Sequence, residues 1–240
     1  MKRFAAFDID GTLIRWQLYH AVVDKLAQDE LLGSEARQRL HDARMIWKRR
    51  EHPEAFKAYE KELIRVYESA LPNLSAAQFD KAVNGVAEEY KSQVYTYTRS
   101  LAKRLKAKGY TLIAISGSHT ELVQHVAKQF GFDIWVGSEY ERAGNRFTGK
   151  RIIASHNKEQ TLNQLIKQHG LSRTGSYAVG DSRTDAPMLA MVDHPIAFNP
   201  DQELFDLAQQ HKWPIVIERK NVVYKLEPRD GSYVLAETSE

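Results

Sequence analysis

Apolar residues along the chain fall into two textures. Residues 3–7, Arg3-Phe4-Ala5-Ala6-Phe7, are a short run stopped by Asp8 and Asp10. That pattern predicts a strand ending at a polar turn. From residue 15 to residue 97 the texture is helical. Leu18, Val22 and Leu26 recur at helical spacing, as do Phe56, Leu63 and Val66, and then Phe79, Val83, Val86 and Tyr90. Gly33-Ser34 and His52-Pro53 read as breaks, with Ser34 as an N-cap and Pro53 as an early helical position. Ser75 is a second N-cap candidate. The segment predicts a separate bundle of three or four helices.

Beyond it, strands and helices alternate. Residues 99–108 predict a helix closed by Gly109, and Tyr110 to Ile115 a buried strand. Ser118-His119-Thr120-Glu121 reads as a capping box opening a helix that ends at Gly131. Ile134 to Val136 predicts a strand, and residues 139–149, with Gly144 and Gly149, a hairpin or flap. A helix over 158–169 ends at Gly170. Strands follow at Tyr177–Val179, Pro195–Phe198 and Pro214–Ile217, with a helix opened by Asn199-Pro200 and running through Gln210. The fold class is α/β, a doubly wound parallel sheet. The expected division is a core over 1–14 and 98–219, a helical insert over 15–97, and a tail over 220–240. The tail reads either as a hairpin around Arg229-Asp230-Gly231 or as a disordered end.

Composition narrows the function classes. The chain has 240 residues, 42% of them hydrophobic, a net charge of +3 and no cysteine. A real core is affordable, and disulfides, thiolate chemistry and cysteine-held metals are excluded. The charge is too weak to imply nucleic acid, and no nucleic-acid motif is present. The N-terminal apolar run is too short for a signal peptide, and no segment has the length of a membrane span. The expectation is a soluble cytoplasmic protein with no membrane partner.

In a parallel sheet, ligands bind beyond the carboxyl ends of the strands. Four polar clusters fall at such places. Asp8 and Asp10, two apart on an extended strand, share a face, although a turn with Asx hydrogen bonds explains them equally well. Ser116-Gly117-Ser118 lies between a strand and a helix, where a hydroxyl, a glycine and free amides suit an anion. Lys158 stands at a helix start, where a cation opposes the helix dipole; a solvated surface lysine is the alternative. Asp181 and Asp185 flank a strand-to-helix turn, and helix capping accounts for Asp185 but not Asp181. Carboxylates gathered this way need a cation, and an oxygen-only set suits Mg²⁺.

Asp8-Ile9-Asp10-Gly11-Thr12, Ile115-Ser116-Gly117-Ser118, Lys158 and Gly180-Asp181 through Asp185 resemble the four ordered motifs of the haloacid dehalogenase superfamily. The helical insert resembles the cap of its phosphoserine-phosphatase-like branch. The likeness extends through Asn199-Pro200 and Trp213-Pro214. It implies a Rossmann-like core with an inserted all-α cap, and a Mg²⁺-dependent phosphatase acting on a small phosphorylated metabolite. Asp8 would attack phosphorus, giving an aspartyl-phosphate. Asp10 would serve as general acid and base. Asp8, the Asp10 carbonyl and Asp181 would ligate the metal, with Asp185 supporting from behind. Ser116, Gly117 and Lys158 would hold the phosphoryl oxygens. The acid at Asp10 favours phosphate chemistry over carbon–halogen hydrolysis.

The resemblance also sets limits. Phosphoserine phosphatases carry a glutamate in the early cap where the spacing falls on Gln17. A neutral amide cannot pair with a substrate ammonium as a carboxylate does, which argues against phosphoserine. Arg37, Arg39, Arg44, Lys48, Arg49 and Arg50 interleave with Glu35, Asp42, Glu51 and Glu54, as on a solvated helix face. The alternative is that one arginine, Arg44, reaches toward a second anionic group of the substrate. Two other functions compete: a phosphotransferase or mutase sharing the aspartyl-phosphate, and a phospho-receiver or phosphate-sensing module. Receivers lack both the acid two residues after the phosphorylated aspartate and a large helical insert.

Overall fold

The computed structural model describes residues 1–239. Its strands, in chain order, are β1 (Lys2–Phe7), β2 (Thr111–His119), β3 (Ile134–Ala143), β4 (Arg146–Ile152), β5 (Leu171–Gly180), β6 (His194–Phe198), β7 (Ile215–Arg219), β8 (Val222–Arg229) and β9 (Ser232–Ser239). The α-helices are α1 (Leu18–Gln28), α2 (Ser34–Lys48), α3 (Ala55–Ala70), α4 (Ala76–Tyr90), α5 (Thr96–Ala107), α6 (Thr120–Phe130), α7 (Lys158–His169), α8 (Ala186–Leu189) and α9 (Gln202–His211). Among the described residues, no helix is long and apolar enough to cross a membrane.

The chain divides into two units. The first comprises Met1–Gln17, Tyr90–Ser138 and Ile153–Glu240. Its strands run in the order β3-β2-β1-β5-β6-β7-β8-β9. The pairs from β3 to β7 are parallel, while β7–β8 and β8–β9 are antiparallel. β1 lies centrally, and Phe4 to Phe7 are wholly buried, as a parallel strand covered on both faces requires. Phe4, Ala6, Ile113, Ile115, Ala178 and Ala197 share one core cluster with Leu162 of α7, Met188 of α8 and Leu204 of α9. From β1 the chain crosses to β2 and β3 on one side, then returns to β5 on the other. The carboxyl end of β1 is therefore the switch point of the sheet.

The second unit comprises Leu18–Glu89 and Glu139–Ile152. Tyr59, Leu63, Val66 and Tyr67 of α3 form much of its interior. Trp47 stacks on Tyr59, with ring centroids 5.5 Å apart. The hairpin of β4 and the distal half of β3 belongs to this unit. Phe147 packs edge-on against Phe79, and Arg142 makes a two-pronged ion pair with Asp80.

Several boundaries depart from those read in the sequence. The helical unit begins at 18 and ends at 89, not 15 and 97, and it includes the 139–152 hairpin. Residues 15–17 and 90–97 stay with the sheet, where Arg15 N–H bonds the Gln93 carbonyl and Tyr95 N–H that of Leu13. The tail is a hairpin, β8–β9, that extends the sheet. Asp230 and Gly231, both at positive φ, make its turn. Ser75 caps α4, accepting from the Gln78 amide. Ser34 does not cap; it is the first residue of α2, and Gly33 precedes it. The expected box at Ser118 is also absent, because β2 continues through His119 and α6 starts at Thr120 with no side-chain cap. Asp201, not Asn199, caps α9 through the Leu204 amide.

Candidate active site

β1 ends at Phe7, and the chain turns sharply through Asp8–Thr12. Leu13 and Ile14 amides both donate to the Ile9 carbonyl, and Gly11 N–H points back to the carbonyls of Ile14 and Trp16. Gly11 has φ +78°, and a Cβ there would lie 2.0 Å from Asp181 Oδ2. Only glycine lets this turn pass so close to the carboxylate at the end of β5. Gln17 Nε2 lies 3.3 Å from that Cβ position, so the Gln17 amide stands beside the turn.

Four of the polar clusters converge here. Lys158, the first residue of α7, is buried and donates to Asp8 Oδ1 at 2.5 Å and Asp185 Oδ1 at 2.6 Å. The solvated-lysine alternative is thereby removed. The second Asp185 oxygen accepts from the amides of Asp181 (3.1 Å) and Ser182 (3.0 Å) and from the Ser182 hydroxyl. Asp185 thus caps the turn and anchors the lysine at once. Ser116 Oγ donates to Asp10 Oδ2 at 2.5 Å and accepts from the Ser118 amide at 2.9 Å. Thr12 Oγ1 donates to Asp181 Oδ1 at 3.3 Å.

Asp8, Asp181 and Asp185 bring carboxylate oxygens within 4.8 Å of one another. Burial pushes the Asp8 carboxyl up to about 8, although Lys158 pulls the other way. Burial, reinforced by the charges of Asp8 and Asp185, pushes Asp181 well above the usual carboxylate range. Burial opposes the charge on Lys158, but Asp185 and Asp8 together hold its ammonium above the ordinary lysine range. Several buried carboxylates face a single lysine, an imbalance that a divalent cation relieves. The donors are all oxygen, the set that suits Mg²⁺. Both Asp185 oxygens are already engaged, while Asp8 and Asp181 use Oδ1, for Lys158 and Thr12, so their Oδ2 atoms are the ones that could meet an ion.

Haloacid dehalogenase-like hydrolases match residues 5–190 as a family. The chain belongs to the haloacid dehalogenase-like hydrolases. It is 24% identical over 216 residues to a phosphoserine phosphatase from Archaeoglobus fulgidus, covering 86% of this chain and 55% of that one. It is 27% identical over 240 residues to a histidinol-phosphatase from Neisseria meningitidis serogroup C, covering 90% of this chain and 99% of that one. The chain therefore spans little more than half of the first relative and nearly all of the second. A solved structure from Bordetella pertussis Tohama I, a protein of unknown function, shares the fold with a TM-score of 0.71 at 24% identity, covering 91% of this chain and 99% of that one.

Arg44 makes an ion pair inside the helical unit. Its Nη1 donates to Asp24 Oδ2 at 2.8 Å, within the helical unit. Conversely, sequence reading singled out neither Ser138, which bonds the Gly117 carbonyl, nor Ser182, which bonds Asp185. Ser182 lies inside a quoted motif and its spacing to Asp185 is that of a capping box. Ser138 has no such local signal.

Proposed function

We propose that the protein is a Mg²⁺-dependent phosphate-monoester hydrolase that works through an aspartyl-phosphate on Asp8. The observation that carries this reading is the buried lysine held between Asp8 and Asp185, with Asp181 alongside, at the carboxyl end of β1. Membership of the haloacid dehalogenase-like hydrolases, together with distant relatives that are phosphatases, supports the reaction class.

In this reading an Asp8 oxygen attacks phosphorus and the ester P–O bond breaks. Asp10 gives its proton to the departing alcohol oxygen, then takes one from the water that hydrolyses the acyl phosphate. Ser116, the Gly117 amide and Lys158 hold the equatorial oxygens, where charge is densest in transfer. Asp8, the Asp10 carbonyl and Asp181 would hold Mg²⁺, which when bound supplies charge neutralisation at the phosphoryl group. Asp185 keeps Lys158 in place. The substrate is a small phosphate monoester and the setting cytoplasmic. Histidinol phosphate is the first compound to test, since the relative matched over nearly its whole length is a histidinol-phosphatase, and phosphoserine is the second.

The test is release of inorganic phosphate from a panel of metabolite phosphates, including both compounds and an aryl phosphate, with Mg²⁺ present. Hydrolysis with water as acceptor, lost with EDTA and restored by Mg²⁺, is expected. Transfer to an added alcohol without free phosphate would favour a phosphotransferase instead. A long-lived phosphorylated Asp8 without turnover would favour a receiver. No reaction with any monoester would count against the proposal.

A further inference from the structure

The irregular loop late in β2, where pairing with β3 breaks between Ile115 and His119 and Ser116 and Gly117 are offered, and the helix start that offers Lys158 come from distant parts of the chain. Their relative placement must be set by something, because a phosphoryl group is held by both. Between β3 and α7 the chain leaves the core at Ser138 and rejoins it at Ile153. A short 3-10 turn, Ala154–Asn157, then leads directly into Lys158.

Ser138 stands where these parts meet. It is fully buried. Its hydroxyl donates to the Gly117 carbonyl at 2.6 Å and accepts from the Ala154 amide at 3.2 Å. One oxygen therefore joins the anion loop to the turn that delivers the lysine. A second contact lies alongside: a Cβ on Gly117 would sit 2.9 Å from Ser155 Oγ and 3.1 Å from its Cβ. The turn is thus packed directly on the glycine, and the loop can come this close only because residue 117 has no side chain.

We propose that Ser138 is a positioning residue of the phosphate cradle, its hydroxyl holding the Gly117 loop and the Lys158 turn in one register. This rests on the reading of Ser116, Gly117 and Lys158 as the groups that hold phosphate. Ser138 touches no reacting atom. It acts by geometry, and displacements near 1 Å in such a site cost on the order of a hundredfold in rate. The loss falls on kcat, because the cradle matters most when charge builds up on the transferring group.

The experiment compares Ser138→Ala and Ser138→Thr with the wild type. Circular dichroism and melting establish folding, and kinetics on an aryl phosphate and amide hydrogen exchange are then measured. Ser138→Ala is expected to lose about tenfold to a hundredfold in kcat with KM changed less than about threefold. Ser138→Thr, which keeps the hydroxyl, is expected to recover most of that loss. The Ala154 amide loses its acceptor in the alanine variant and exchanges faster. The Ser118 amide, in the loop on the other side, is expected to accelerate with it. If the alanine variant does not fold, Ser138→Cys, whose thiol is a weak donor, takes its place in both measurements. A folded variant with kcat within twofold of wild type would overturn the proposal, as would faster exchange at Ala154 alone. Wild type inactive on every monoester would be a failure of the functional reading, and paired exchange at Ala154 and Ser118 would then decide the positioning role by itself.

Discussion

Asp8 and Asp10 are two residues apart in the turn after β1, and they meet different groups. Asp8 faces the Lys158 ammonium, whereas Asp10 accepts from the Ser116 hydroxyl. A carboxylate held by a lysine stays fixed for attack, while one that meets a hydroxyl can exchange a proton. Asp10→Asn is therefore expected to lower kcat on an aryl phosphate by about 10²–10⁴-fold, the usual size of a general acid–base contribution. The melting temperature should barely move, because the amide oxygen still accepts from Ser116. An active Asp10→Asn protein would reassign the acid. At this scale the sequence was informative about residue type and spacing but silent about partners. The aspartates at 8, 10 and 181 announced themselves as strand-end acids. The burial of Lys158 did not, since a lysine at a helix start is ordinarily solvated.

Asp185 shows how an element and a site share one side chain. One oxygen closes the turn after β5 on the amides of Asp181 and Ser182, and the other holds Lys158. Asp185→Ala removes both functions and leaves two half-buried amides unpaired, a loss of at most about 1–3 kcal/mol for each unmet group. Asp185→Asn keeps an acceptor for the turn but weakens the hold on the lysine. Denaturant titration should separate the two, with alanine the less stable, while kcat falls in both. Equal destabilisation would mean that the cap contributes little. The elements themselves were largely legible. Buried parallel strands such as β1 and β2 are continuous apolar runs, and Gly109, Gly131 and Gly170 mark helix ends at positive φ. The exceptions turn on long-range pairing. The capping-box pattern at Ser118 lost to a strand that runs on because Ser116 Oγ takes the Ser118 amide. The 139–152 hairpin joined the helical unit because Phe147 and Arg142 find Phe79 and Asp80 there. Ser138 stayed invisible because its two partners lie 21 and 16 residues away.

For the whole molecule, a buried acidic cluster links stability to pH and to metal. The Asp8 carboxyl, ordinarily near 3.8, is held at about 8 in the folded metal-free protein. Across that window the folded state keeps a proton that the unfolded chain has released. The Asp8 contribution to folded stability therefore falls as pH rises from about 4 to about 8, the slope expected when the native state binds more protons. Mg²⁺ competes with that proton, so it should raise the melting temperature more near pH 8 than near pH 5. Asp8→Asn should flatten the metal-free slope. A Mg²⁺ effect independent of pH would place the ion elsewhere. The overall architecture, a parallel sheet with a helical insert, was readable from the change of texture at residues 15 and 97. The membership of the tail was not. Val222, Tyr224 and Leu226 alternate as a strand, but only pairing of Ile215 with Leu226 and Ile217 with Tyr224 makes β8 a continuation of the sheet.

If Asp8 is the nucleophile, replacing its carboxylate must stop the reaction. The most direct measurement is phosphate release from an aryl phosphate, with Mg²⁺, by purified wild type and Asp8→Asn side by side, with circular dichroism to compare their folds. The expected result is a wild type that turns over and a folded, nearly isosteric Asp8→Asn protein with no hydrolysis above background. Wild-type-like release by Asp8→Asn would contradict that role for Asp8.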